Sequence, residues 1–151
     1  MANANIKYEE AIDEIRAKVA RMSELMDKES SRALDEIGKV IESSVMMTAP
    51  VSDKEYYYYK NGKGERTRTW NVHIADDVTR KVKRSKESKM KYVTVSGDEK
   101  TWRKWHLAND GHVAKNGKFV PGNHFADKAE IKAEHYIDNI IEKAMGGVIK
   151  N

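Results

Sequence analysis

The stretch "WHLANDGHVAKNGKFVPGNH", residues 105–124, concentrates three histidines, three asparagines and an aspartate in twenty positions. Two chemistries use such residues: a metal site, and a His–Asn–His nuclease centre built from a base, an orienting asparagine and metal ligands. Spacing argues against both. His106 and His112 are six apart, and His112 and His124 are twelve apart. Helical zinc ligands recur about four apart, and finger sites need a cysteine pair. The chain has no cysteine. A nuclease frame would spread its residues over two strands and a helix, whereas Asn109, Asp110 and His112 crowd around Gly111. The alternative is architectural. His106 ends a strand, while Asn109, Asp110, Gly111, Asn116 and Gly117 make turns. His124 stands at the start of the last helix, where free backbone donors accept polar company. His73 and His135 are isolated surface residues. No metal and no cofactor is expected.

A second candidate is the run "RKVKRSKESKMK", residues 80–91, with seven bases and one acid. Lys81, Lys83 and Arg84 could follow a phosphate backbone, with Tyr56, Tyr57, Tyr58 and Tyr59 as stacking faces for bases. That would make a small basic nucleic-acid-binding module. No finger, helix-turn-helix or aromatic sheet signature accompanies it. No glycine-rich phosphate loop follows a strand, no serine lies beside a general base, and "SGDEK" at 96–100 reads as a turn. The residues carry no convincing active site, and the expectation is a protein that is not an enzyme.

The elements that would position these groups follow from periodicity. Tyr8, Ile12, Ile15, Val19, Met22 and Met26 step by four and three along one helix face. Asn5 is the expected N-cap, and residues 1–5 are expected to be disordered. The stripe loosens at "KESSRA", resumes at Leu34, Ile37, Ile41 and Val45, and stops before Pro50, since the residue preceding a proline resists the α region. This predicts one long helix to about Thr48, kinked or interrupted near Ser30. Packing on its own domain or on a neighbouring subunit suits so short a pattern better than a coiled coil. Asn61-Gly62 and Gly64 mark a hairpin tip or mobile loop across 52–67. "TWNVHIA", "DDVTRKVKR" and "KMKYVTVSG" read as three strands, and "TWRKWHLAND" as a fourth strand or a short helix. From Phe125 the series Ala126, Ala129, Ala133, Ile137, Ile140 and Ala144 reads as a helix stopped at Gly146-Gly147. The class is α+β: a long N-terminal helix, an antiparallel sheet of three to four strands, and a C-terminal helix packed on it.

Composition sets the bounds. A chain of 151 residues suits a single domain over 1–151. No stretch approaches the roughly 18 apolar residues of a membrane span. The first ten residues lack the apolar core of a signal peptide. These features point to a soluble, unexported protein. The net charge is +4, with the excess in residues 51–107, where fifteen bases face eight acids; residues 1–50 carry ten acids and seven bases. Such a distribution suits nucleic acid, an acidic protein surface, or solvent.

The spacing that fails as chemistry resembles something else. The order His106, Leu107, Gly111, His112, Gly117, Gly122, His124 and an alanine-rich helix through Ala129 is similar to the signature of the tail-completion, or head–tail joining, proteins of long-tailed bacteriophages. "SSVMMTAPV", running into Ala49-Pro50-Val51, resembles that family's helix end. Arg68 and Trp70 stand where the family opens its first strand, after an insertion holding the tyrosines. The resemblance covers about residues 34–145. It implies a structural virion protein assembled in the host cytoplasm, forming a ring, commonly of six, at the head–tail junction and monomeric when free. Its implied partners are an adaptor or stopper on the head side and the tail tube or tail terminator on the other, with DNA touched at most in the lumen. In such a ring an acidic helix of one copy could meet a basic sheet edge of the next. Tyr56–Tyr59, Lys81, Lys83 and Arg84 are the expected contacts.

Overall fold

A computed structural model describes residues 2–98 and 100–149, and the side chains within them other than those of 2–11, 57, 59, 69 and 148. The class is α+β as expected. Helix α1 spans Ala2–Thr48. It is rich in Ala, Glu, Lys, Arg and Met, which lose little rotamer freedom in a helix. Asn5 therefore sits inside the helix rather than capping it. No interruption occurs near Ser30. The Ser30 and Ser31 hydroxyls donate back to the Asp27 carbonyl, at 3.0 and 2.9 Å, and the helix runs on. It ends as the proline requires, with the Ala49 amide donating to the Val45 carbonyl at 2.8 Å.

Among the described residues six strands follow, in three separate two-stranded antiparallel ladders rather than one sheet of three or four. Strands β1 (Tyr56–Lys60) and β2 (Arg66–Trp70) form the first. The tyrosines lie in a strand, and the turn is the Asn61–Glu65 segment beyond them. There Asn61 Oδ1 accepts the amides of Lys63 and Glu65, both at 3.0 Å. The expected strand over "TWNVHIA" is a correction: β2 ends at Trp70. Asn71 turns away, its amide donating to the Glu55 carbonyl at 2.7 Å and its side chain to that of Lys54 at 2.8 Å. Ile74–Asp76 then form a single 3-10 turn that buries Ile74.

Strands β3 (Val78–Arg84) and β4 (Lys91–Gly97) make the second ladder, in the register Arg80↔Val95, Val82↔Val93 and Arg84↔Lys91. "TWRKWHLAND" is helix α2 (Trp102–Asp110), so His106 lies in a helix and does not end a strand. The third ladder is short, β5 (Gly111–Val113) with β6 (Phe119–Pro121). Helix α3 (Phe125–Ile149) closes the chain.

One core joins these pieces. Val45 and Ala49 of α1, Ile74, and Phe125 and Ala129 of α3 are buried together. Val78 and Val95 of the second ladder and Trp105 and Ala108 of α2 pack against them. The Trp105 and Phe125 rings meet edge to face, centroids 5.0 Å apart. From this core α3 runs back antiparallel along α1, and Gly147 comes within 4.0 Å of the Glu29 carboxylate as judged from an ideal Cβ. The first half of α1 continues past the end of α3. Every described residue from 12 to 24 is exposed.

Candidate assembly surface

Strand alternation splits the basic run into two functions. Directly paired residues share a face, so Arg80, Val82 and Arg84 lie with Val95, Val93 and Lys91. An ideal Cβ on Gly38 of α1 would stand 2.7 Å from Val93 Cγ2 and 3.1 Å from Arg80 Cδ, so this face packs on α1. Arg80 donates to Asp35 at 3.2 Å and also pairs with Glu42. Arg84 Nη2 and Lys91 Nζ each reach Asp27 Oδ1 at 2.7 Å, and Lys91 also bonds Ser31. The hydrogen bond from Lys91, then that from Arg84, holds the Asp27 carboxyl below its ordinary value. Lys39, then Arg80, does the same for Asp35. Glu42, then Asp35, raises the Arg80 guanidinium in turn. The acidic helix and basic strand thus meet inside one chain at these positions.

Lys81 and Lys83 remain on the opposite, exposed face. They line a shallow groove with Thr79, Thr94, Ser96 and Trp102. Of the three expected basic contacts, two face outward and Arg84 is engaged at home.

The β1–β2 hairpin presents a different surface. Tyr56 pairs with Trp70 and Tyr58 with Arg68. The Tyr56 and Tyr58 rings meet edge to face at 5.7 Å, and Tyr56 meets Trp70 at 6.4 Å. The Arg66 guanidinium lies 4.1 Å from the Tyr58 centroid, and that of Arg68 4.8 Å from Tyr56. This aromatic–cation ladder is exposed. The side chains of Tyr57 and Tyr59 lie outside the described residues. Arg66, Arg68 and Trp70 complete the face and were not among the expected contacts; pairing Tyr56–Lys60 with Arg66–Trp70 across "NGKGE" would have placed them there. The hairpin is tied to the body through Lys104, whose Nζ donates to Asn71 Oδ1 at 3.0 Å and to the Val72 carbonyl at 3.1 Å.

The histidine–glycine segment is a joint. Gly111 ends α2 with φ 88° and ψ 175°, a conformation essentially confined to glycine. A Cβ there would lie 2.5 Å from the Val120 carbonyl oxygen, and one on Gly122 would lie 2.0 Å from that of Asn109. The two glycines let the end of α2 and the returning β6 strand touch backbone to backbone. Asn109 then starts α3. Its carbonyl accepts the His124 amide at 3.0 Å and its Oδ1 accepts the Ala126 amide at 2.9 Å. His124 adopts φ 55° at the helix start, with Nδ1 3.2 Å from Asp127. Gly117 supplies the positive φ of the β5–β6 turn. His106 is exposed on α2 and His112 is half-buried on β5. The three histidines are set apart, His106 on α2, His112 on β5 and His124 in the turn before α3. Among the described residues no group of three His, Asp or Glu is placed to hold a metal ion. No helix among them is long and apolar enough to cross a membrane.

Comparison with known families gives a match. The family model of bacteriophage HK97-gp10-like tail components covers residues 13–111, which is 99 of the 151. This chain belongs to the HK97-gp10-like family. No curated protein and no solved structure matches it. The HK97-gp10-like region takes in most of α1, the β1–β2 and β3–β4 hairpins, and α2 through Gly111. His112, Gly117, Gly122 and His124, on which much of the sequence resemblance rested, fall beyond it. Membership makes this a phage virion component and implies contact with other virion proteins.

Proposed function

We propose that the chain is a non-catalytic structural protein that forms a ring, of six copies, at the head–tail junction and joins the capsid-side connector to the tail tube. The observation that carries this reading is the family match, which takes in the α1 and Ile74 side of the core but not the Phe125 and Ala129 that α3 adds. The fold supports it. The conspicuous residues outside the core make exposed faces: the Tyr56–Tyr58–Trp70 ladder, the Lys81–Lys83 groove and the apolar stripe of α1. An adaptor or stopper would meet one side of the ring and the tail tube or tail terminator the other. Aromatic rings backed by arginine make good interface anchors. The nucleic-acid reading is weaker for the same reason, since Arg80, Arg84 and Lys91 are neutralised by α1 carboxylates.

The test is a phage lacking this gene. The joining role predicts DNA-filled heads and finished tails lying unattached in the lysate under the electron microscope. Tailed particles of normal appearance, or empty heads as the main product, would overturn it.

A further inference from the structure

The first half of α1 exposes Ile12, Ile15, Val19, Met22 and Met26 on one side, with Ile15 and Val19 60% and 61% exposed. A monomer rarely leaves so continuous an apolar stripe in water. The stripe runs on towards the stretch of α1 where Glu29, Ala33 and Glu36 line a groove with Asn139, Ile140 and Ala144 of α3, so the same side of the helix already meets a helix further along. Its natural occupant is therefore another helix. Charge says which kind. Written as a heptad with Ile12, Val19 and Met26 at one core position and Ile15 and Met22 at the other, the flanking positions from 11 to 25 are Ala11, Arg16, Lys18, Ser23 and Leu25. No acid is among them. Two such stripes laid together would gain no ion pair, so the stripe suits an acidic partner.

The chain carries one. The side of α3 turned away from α1 exposes Ile131, Ile141, Met145 and Ile149. Between and beside them stand Asp127, Glu130, Glu134 and Asp138, all exposed. Ile131, Glu134, Asp138, Ile141, Met145 and Ile149 follow one another by threes and fours, a second helical stripe that no described element covers.

We propose that residues 12–26 of α1 in one copy pack on the outward face of α3 in a second copy. The contact is head-to-tail: each chain offers two different patches, so it propagates and can close into a ring. It rests on the ring reading for its biological meaning and specifies which surfaces make that ring.

Two variants of the full chain test it, each altered only at exposed positions and checked by circular dichroism for unchanged helix content. One is Val19→Glu/Met22→Glu, the other Ile141→Lys/Met145→Lys. Analytical ultracentrifugation should show the unaltered protein associating as its concentration rises towards millimolar. Each variant alone should stay monomeric. An equimolar mixture should stop at a one-to-one dimer, because one intact contact remains. Arg16→Glu/Lys18→Glu should weaken association roughly tenfold, and Glu134→Lys/Asp138→Lys in the other partner should restore it. Self-association of either variant alone, a mixture that stays monomeric, or an unaltered protein that never associates would each overturn the contact. The deletion phage separates this from the function: unattached heads and tails there, with no association here, leave the joining role standing and remove this surface.

Discussion

Asp27 and Asp35 are the residues through which acidity reaches the fold. Each carboxyl is held below its ordinary value of 3.8 by hydrogen bonds from cations, on Asp27 from Lys91 and Arg84, on Asp35 from Lys39 and Arg80. A depressed folded-state value means the unfolded chain binds protons more readily. The stabilisation is then complete above about pH 4 and is lost as pH falls through the lowered folded-state values. Asp27→Asn/Asp35→Asn should therefore be less resistant to urea than the unaltered protein at pH 7, and the two should converge in strong acid. A gap that persists unchanged to pH 2 would mean the pairs contribute through shape rather than charge. Gly111 makes the second residue-scale case. Its φ of 88° and the 2.5 Å approach to the Val120 carbonyl leave no room for a methyl group. Gly111→Ala should cost about 1–3 kcal/mol in denaturant titration. His106→Ala, on an exposed position, should cost less than about 0.5 kcal/mol. The need for glycine at 111 was legible from the sequence, because Asn-Asp-Gly between two apolar runs asks for a turn. What Asn109 does was not: its cap on the Ala126 amide depends on the β5–β6 hairpin bringing α3 back to the end of α2.

At the scale of elements, α1 was readable because its apolar period runs long enough to exclude the alternatives and Pro50 fixed its end, and β4 because Val93, Thr94 and Val95 are β-branched and stop at Gly97. Two segments misled for opposite reasons. "TWNVHIA" alternates properly, yet burial of Ile74 is achieved by a 3-10 turn, and the Asn71 bonds to Lys54 and Glu55 end the strand at Trp70. "TWRKWHLAND" is short enough to satisfy either period, and the helix is decided by packing: Trp105 and Ala108, three apart, both face the core around Phe125. Ladder order was beyond reach, since nothing local says whether three hairpins share edges. The exposed half of α1 gives this scale its prediction. A helix without tertiary cover is marginal in water. In the isolated protein the amides of residues 12–24 should exchange with deuterium far faster than those of 33–45, where α3 and the β3–β4 ladder lie against α1. Equal protection in a monomer would mean that the first half of α1 is stabilised by something other than a partner.

The whole molecule keeps one set of charges for itself and leaves another exposed. Arg80, Arg84 and Lys91 bind α1 to its own ladder, so reversing any of them would set a like charge against an α1 carboxylate and confuse folding with assembly. Lys81 and Lys83 point the other way, into the groove beside Trp102, and make no ion pair among the described contacts of that face. Lys81→Glu/Lys83→Glu should accordingly leave the melting temperature within a degree or so, because exposed substitutions away from packed features seldom exceed about 0.5 kcal/mol. In a phage carrying that pair, the joining role predicts fewer attached tails, since charge at an interface chiefly sets register and excludes wrong partners. The same variant separates the nucleic-acid reading. Phosphate contacts would give the unaltered protein a steep salt dependence in a duplex gel shift, reduced by about two counterions' worth in the variant. A contact with protein alone would give weak, shallow binding in both. Normal attachment in that phage, combined with a steep salt slope in the unaltered protein that the variant loses, would move this face from tail joining to nucleic acid.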